Sequence, residues 1–206
     1  MHQFDAYIFD FGGVITLEPD RTRFTAIAGI LGVDPADFLH AYAAERHEYD
    51  RGTLSAAMYW DRVAAHFGVR IDPPDLERII RLDMDAWFRI NPAMVALLKE
   101  LRPRTDRLLL LSNINFEGKT RLLGDARFCE GFDWTSLFDT MLFSCDLKLI
   151  KPERAIYDTC IAAAGVNAKR CVFVDDTTGN VTAAREAGME AIVFTGEPEL
   201  RTALGF

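Results

Sequence analysis

The chain has 206 residues, half of them hydrophobic, with 31 acidic against 23 basic side chains and a formal charge of −8. That length holds one good-sized domain, or a domain with a small insert, and the hydrophobic fraction is enough for a core. The acidic balance excludes nucleic acid as the main partner, and no run approaches the ~18 uninterrupted apolar residues of a membrane span.

The opening Met1-His2-Gln3-Phe4-Asp5 lacks the basic start of a secretory leader and leads straight into a strand. The run Ala6-Tyr7-Ile8-Phe9 reads as a buried parallel strand. It delivers Asp10 to its carboxyl end and continues through Phe11-Gly12-Gly13-Val14-Ile15. A carboxylate there is costly unless it is paired or bound to a metal. The two glycines let the backbone turn tightly and approach a ligand closely.

Residues 18–90 contain no convincing strand. Amphipathic helical stretches are expected at 22–31, 35–48, 54–67 and 74–88, punctuated by Gly32, Pro35, Gly52, Gly68 and Pro73-Pro74. This segment is expected to form a small helical domain inserted after the first strand, with 1–17 and 91–206 as the core. Strands then follow at 107–111, 140–143, 171–174 and 191–194. Helices are expected at 92–102 and 152–164, each opening on a proline, and at 178–187, closing on Gly188. Strands alternating with helices predict an α/β fold with a doubly wound parallel sheet. The four cysteines, Cys129, Cys145, Cys160 and Cys171, form no C-x-x-C pair and read as reduced core thiols of a cytoplasmic protein.

In an open parallel sheet, ligands bind beyond the carboxyl ends of the strands. The residues at those ends are Asp10, Ser112-Asn113, Lys151-Pro152 and Asp175-Asp176. Ser112 also suits a helix cap, and Asp175-Asp176 suit a helix N-terminus. Lys151 does not, because a cation before a helix opposes its dipole. Together the four fit phosphoryl transfer. Asp10 is a candidate nucleophile and metal ligand. Asp176 adds a second carboxylate, and two such charges ~4 Å apart repel by ~4 kcal/mol at an effective dielectric near 20. A divalent cation or a lysine must offset that, and all-oxygen ligation suits Mg²⁺. Ser112, the neighbouring amides and Lys151 can hold phosphoryl oxygens.

In this order, the four pieces resemble the haloacid dehalogenase superfamily, in its subgroup with a helical cap between the first two motifs. The resemblance covers the whole chain and implies that Asp10 forms an aspartyl-phosphate. It implies that the Gly12 carbonyl and Asp176 ligate Mg²⁺, with Asp175 bound through water or one layer behind. It further implies that Ser112, Asn113 and Lys151 hold the phosphate, and that Asn180 orients the acidic loop. The substrate class implied is a small phosphorylated metabolite, sugar phosphates included, taken by a monomer or homodimer. One departure stands out: most phosphatases of the family carry an aspartate, the general acid, where this chain has Gly12. The rival is a 2-haloacid dehalogenase, which usually has tyrosine at Gly12 and Ser-Ser-Asn at Val174-Asp175-Asp176. A mutase, or a binding protein that has lost its activity, also shares the fold. Histidine is not expected to supply the missing proton, since His40, His47 and His66 fall in the helical segment and His2 is terminal. Within Glu45–Gly52, Arg51 is the candidate substrate contact. The aromatics Tyr42, Tyr59, Trp60, Phe67, Trp87 and Phe88 are expected to form the core of the helical segment.

Overall fold

The computed structural model describes residues 4–124 and 133–206; Cys129 and His2 lie outside them. Within those residues, five short strands form one all-parallel sheet: β1 (Ala6–Phe9), β2 (Leu108–Ser112), β3 (Thr140–Phe143), β4 (Cys171–Asp175) and β5 (Glu190–Val193). Their order is β3-β2-β1-β4-β5. β1, β2 and β4 are continuous apolar runs because both of their faces are covered. Alternate residues feed two different cores. Tyr7, Phe9, Leu108, Leu110, Val172 and Val174 face one side. Ile8, Leu109, Leu111 and Phe173 face the other.

The insertion after β1 is helical, as expected: α1 (Arg21–Leu31), α2 (Pro35–Asp50), α3 (Ala56–Ala65) and α4 (Pro73–Trp87). Each start is written in the sequence. Asp20, Asp34, Ser55 and Asp72 accept hydrogen bonds from the first free backbone N–H groups, and Pro35 and Pro73 occupy first helical positions. The four helices bury Ile27, Phe38, Tyr59, Trp60, Val63 and Ile79 among themselves. The two ends of this segment run side by side. Thr16 and Ile90 form an antiparallel bridge, flanked by Leu17 N–H to the Arg89 carbonyl at 2.7 Å and Asn91 N–H to the Ile15 carbonyl at 2.9 Å.

The sheet is flanked by α5 (Pro92–Leu101), α6 (Phe116–Gly124), α7 (Ser144–Leu147), α8 (Arg154–Ala164), α9 (Thr178–Glu186) and α10 (Glu197–Leu204). Several boundaries differ from expectation by a few residues. α8 starts at Arg154, not Pro152, because Glu153 is extended and its N–H closes a turn onto the Ile150 carbonyl at 2.8 Å. β5 spans 190–193, set by its register against β4. Ser112 and Asp175 are the last residues of their strands and not the first of the following loops, so both are buried. Cys145, Cys160 and Cys171 are free and buried, and burial pushes the Cys160 thiol up to about 12. Among the described residues, no helix is long and apolar enough to cross a membrane.

Candidate active site

The strand order places β1 beside β4, on opposite sides of the point where the winding reverses, and a ligand crevice opens there in folds of this type. Asp10 emerges from β1 and Asp175 ends β4. Lys151 reaches between them from the loop before α8, with its Nζ 2.7 Å from Asp10 Oδ1 and 2.7 Å from Asp175 Oδ2. The ammonium is 2% exposed as a residue and sits 5.4 Å from the Phe173 ring centroid. A buried lysine is tolerated only when paired in this way. Its backbone is clamped as well. Asn113 Nδ2 donates to the Lys151 carbonyl at 3.0 Å, and Asn113 Oδ1 accepts from the Lys151 N–H at 2.9 Å.

Asp175 is wholly buried and fully engaged. Its Oδ1 accepts from the Thr177 N–H at 2.8 Å and from Asn180 Nδ2 at 3.0 Å, while Oδ2 takes the lysine. Thr177 Oγ1 donates to Asp176 Oδ1 at 3.2 Å. Carboxylate oxygens of Asp10, Asp175 and Asp176 lie within 4.8 Å of one another. Burial pushes the Asp10 carboxyl above the ordinary range, although Lys151 pulls it back. Burial and then the Asp175 charge do the same to Asp176. With all three carboxylates ionised, the one ammonium leaves an excess of two negative charges, which one divalent cation balances. The all-oxygen donor set suits Mg²⁺.

The turn after Asp10 is held by glycine for two different reasons. Gly13 has φ +71°, and a Cβ there would lie 2.3 Å from Asp176 Oδ2. Gly12 has φ −67° and ψ 130°, open to any residue, and a Cβ there would meet only the Trp87 ring at 3.5 Å. Trp87 thus stands over the position where an acid is missing.

These groups open into a cavity of about 540 Å³ that also takes in residues of α2 and α4. The sequence-derived candidates Asp10, Gly12, Asn113, Lys151, Asp176 and Asn180 line it. Ser112 and Asp175 are buried behind it and Arg51 is turned away. The Arg51 guanidinium is tied to Glu153 at 2.6 and 2.9 Å and to the Lys148 carbonyl at 3.3 Å. The Asn113 side chain serves the Lys151 backbone and is not free to reach for a phosphate.

Tyr42, Arg46 and Asp50 form a unit that no sequence motif marks. They lie at successive four-residue steps on α2, a spacing that puts them on one face. Arg46 bonds Asp50 at 3.0 Å and Asp83 at 2.9 Å, and Tyr42 donates to Asp83 at 2.7 Å. Asn115 Nδ2 donates to Asp50 at 3.0 Å. Tyr42, Tyr59 and Trp60 are in the core of the helical segment as expected, with Phe67 and Trp87 packed against it, whereas Phe88 joins the core on the sheet; Tyr42, Trp87 and Phe88 also line the cavity. Among the described histidines, His47 lines the cavity.

A parallel α/β sheet carrying an acid trio and a buried lysine beyond its strand ends defines the class. The family model for haloacid dehalogenase-like hydrolases matches residues 4–188, and the chain belongs to that family. It is 28% identical over 160 residues to the drimenol cyclase drtB of Aspergillus calidoustus, covering 76% of this chain; it spans only 29% of that relative's length. The magnesium complex of a HAD family enzyme from Bacteroides thetaiotaomicron superposes with TM-score 0.77 at 22% identity, covering 93% of each chain. The L-2-haloacid dehalogenase of Xanthobacter autotrophicus superposes with TM-score 0.67 at 17% identity, covering 98% of this chain and 83% of that one. The family is one of hydrolases.

Proposed function

We propose that this enzyme is a Mg²⁺-dependent phosphohydrolase of a small phosphorylated metabolite. The observation that carries the reading is the charge excess at Asp10, Asp175, Asp176 and Lys151, which fits one divalent cation. A carbon–halogen hydrolase has no need of that excess. Asp10, Asp176 and the Gly12 carbonyl would hold the ion, with Asp175 fixing Lys151 behind them. When bound, the cation supplies positive charge to the phosphoryl oxygens.

Asp10 attacks phosphorus and the ester P–O bond breaks. The leaving alkoxide takes its proton from solvent, since Gly12 offers none. Water then cleaves the acyl phosphate, releasing phosphate and restoring Asp10. Lys151 faces the charge that develops on the phosphoryl group, and Asn113 and Asn180 hold Lys151 and Asp175 in place. Without a general acid, typically 10²–10⁴-fold in rate is forgone, so good leaving groups are favoured. Residues 18–90 act as a cap that closes the crevice against water.

The test is phosphate release from an aryl phosphate with Mg²⁺ and with chelator. The wild type should turn over only with metal, and Asp10→Asn should lose at least 10³-fold while keeping its circular dichroism. Equal turnover by the variant overturns the nucleophile. Metal-independent halide release from a 2-haloacid, without phosphate release, overturns the reading in favour of the dehalogenase.

A further inference from the structure

We infer that the group esterified to the phosphate is an uncharged, apolar alcohol, because the far wall of the cavity is aromatic and Arg46, its one arginine among the described residues, is already matched by two carboxylates. This rests on the phosphohydrolase reading and departs from the sugar phosphates that the family resemblance suggests.

Away from the acid trio, the wall is built by Tyr42, Met84, Trp87, Phe88 and Ile114. Among the described residues, Arg46 is the arginine that lines that end, and it has no charge to spare; Arg121, over the Phe88 ring, is paired with Asp85. Its Nε lies 3.0 Å from Asp50 and its Nη1 2.9 Å from Asp83. The guanidinium carbon lies 5.0 Å from the Tyr42 ring centroid, 5.4 Å from Tyr49 and 5.9 Å from Tyr59. One positive charge against two negative ones leaves that end net negative. A carboxylate or second phosphate on the substrate would meet repulsion there, in a site of low dielectric.

The polar groups around Tyr42 and Arg46 are committed to one another, and His47, which also lines the cavity, is exposed to solvent. The Tyr42 hydroxyl donates to Asp83 and accepts from Arg46 and from Trp87 Nε1, the last at 3.0 Å. Asp50 accepts from both Arg46 and Asn115. A sugar hydroxyl buried against such a wall would lose its water without gaining a partner, which is unfavourable. A ring or branched hydrocarbon loses nothing and gains contact with Trp87 and Phe88.

The experiment uses wild-type enzyme with Mg²⁺ and two matched pairs: phenyl against 4-carboxyphenyl phosphate, and cyclohexyl phosphate against inositol 1-phosphate. Acetyl phosphate, whose leaving group needs no acid, is the common reference. The expected result is at least tenfold higher kcat/KM for the uncharged, unhydroxylated member of each pair. With acetyl phosphate hydrolysed, a ratio below tenfold in either pair, or no turnover of phenyl and cyclohexyl phosphate, overturns this inference and leaves the phosphohydrolase standing. No metal-dependent hydrolysis of acetyl phosphate brings down both.

Discussion

Gly12 and Gly13 sit next to each other and answer differently to substitution. At Gly13, a methyl group would both strain a positive φ and drive Asp176 aside. Gly13→Ala should therefore lower Mg²⁺ affinity at least tenfold, read as a lost thermal shift on metal titration. Gly12→Asp meets no backbone obstacle, only the Trp87 face. It should fold normally and should flatten the dependence of kcat/KM on leaving-group pKa, because an acid now stands near the departing oxygen. An unchanged dependence in a folded variant would mean that Trp87 keeps the new carboxyl from the substrate. At this scale, the sequence was most legible where a motif residue points straight into the cavity. Asp10 and Asp176 reach the cavity because the ends of β1 and β4 deliver them, and Lys151 reaches it from the loop before α8. Arg51 misled because its partner Glu153 lies 102 residues away, and no local pattern reveals such a pair.

The helices were legible through their caps and prolines, and the strands through unbroken apolar runs. What the pattern lacked was the polar stitching between elements. α2 is joined to the segment after β2 by Asn115 to Asp50. It is joined to α7 by the Ser144 hydroxyl to the Asp50 carbonyl, and to α6 by Tyr49 to Glu117. Asn115 also accepts from the Gly118 N–H at 2.8 Å, capping α6. Asn115→Ala removes a cap and strands one oxygen of a buried aspartate, so it should cost about 2–3 kcal/mol in denaturant unfolding. A cost under about 0.5 kcal/mol would show that water replaces the amide. Such long-range pairings are invisible to periodicity, since each residue alone reads as an ordinary solvated polar.

For the whole molecule, the buried acids set a pH dependence. Burial raises Asp10, Asp50 and Asp176 above their usual range near 4. Through the window above that value, the folded, metal-free protein binds more protons than the unfolded chain. Stability therefore falls as pH rises. The metal-free Tm should be higher near pH 5.5 than near pH 7.5, and saturating Mg²⁺ should narrow the gap by neutralising Asp10 and Asp176. A Tm that rises with pH in the metal-free protein would contradict this picture.

The paired ends of the helical segment carry one more consequence, for how the chain finds its fold. Tyr7 pairs with Leu108 across about a hundred residues, a separation that makes sheet closure slow. Once α1–α4 have condensed, the bridge between Thr16 and Ile90 short-circuits most of that distance. Cutting the effective loop about fourfold saves about 1.2 kcal/mol of closure entropy. Ile79→Ala, which opens a hole far from the sheet, should then slow refolding as well as speed unfolding in a stopped-flow chevron. The helices would serve the sheet before there is any crevice for them to cover.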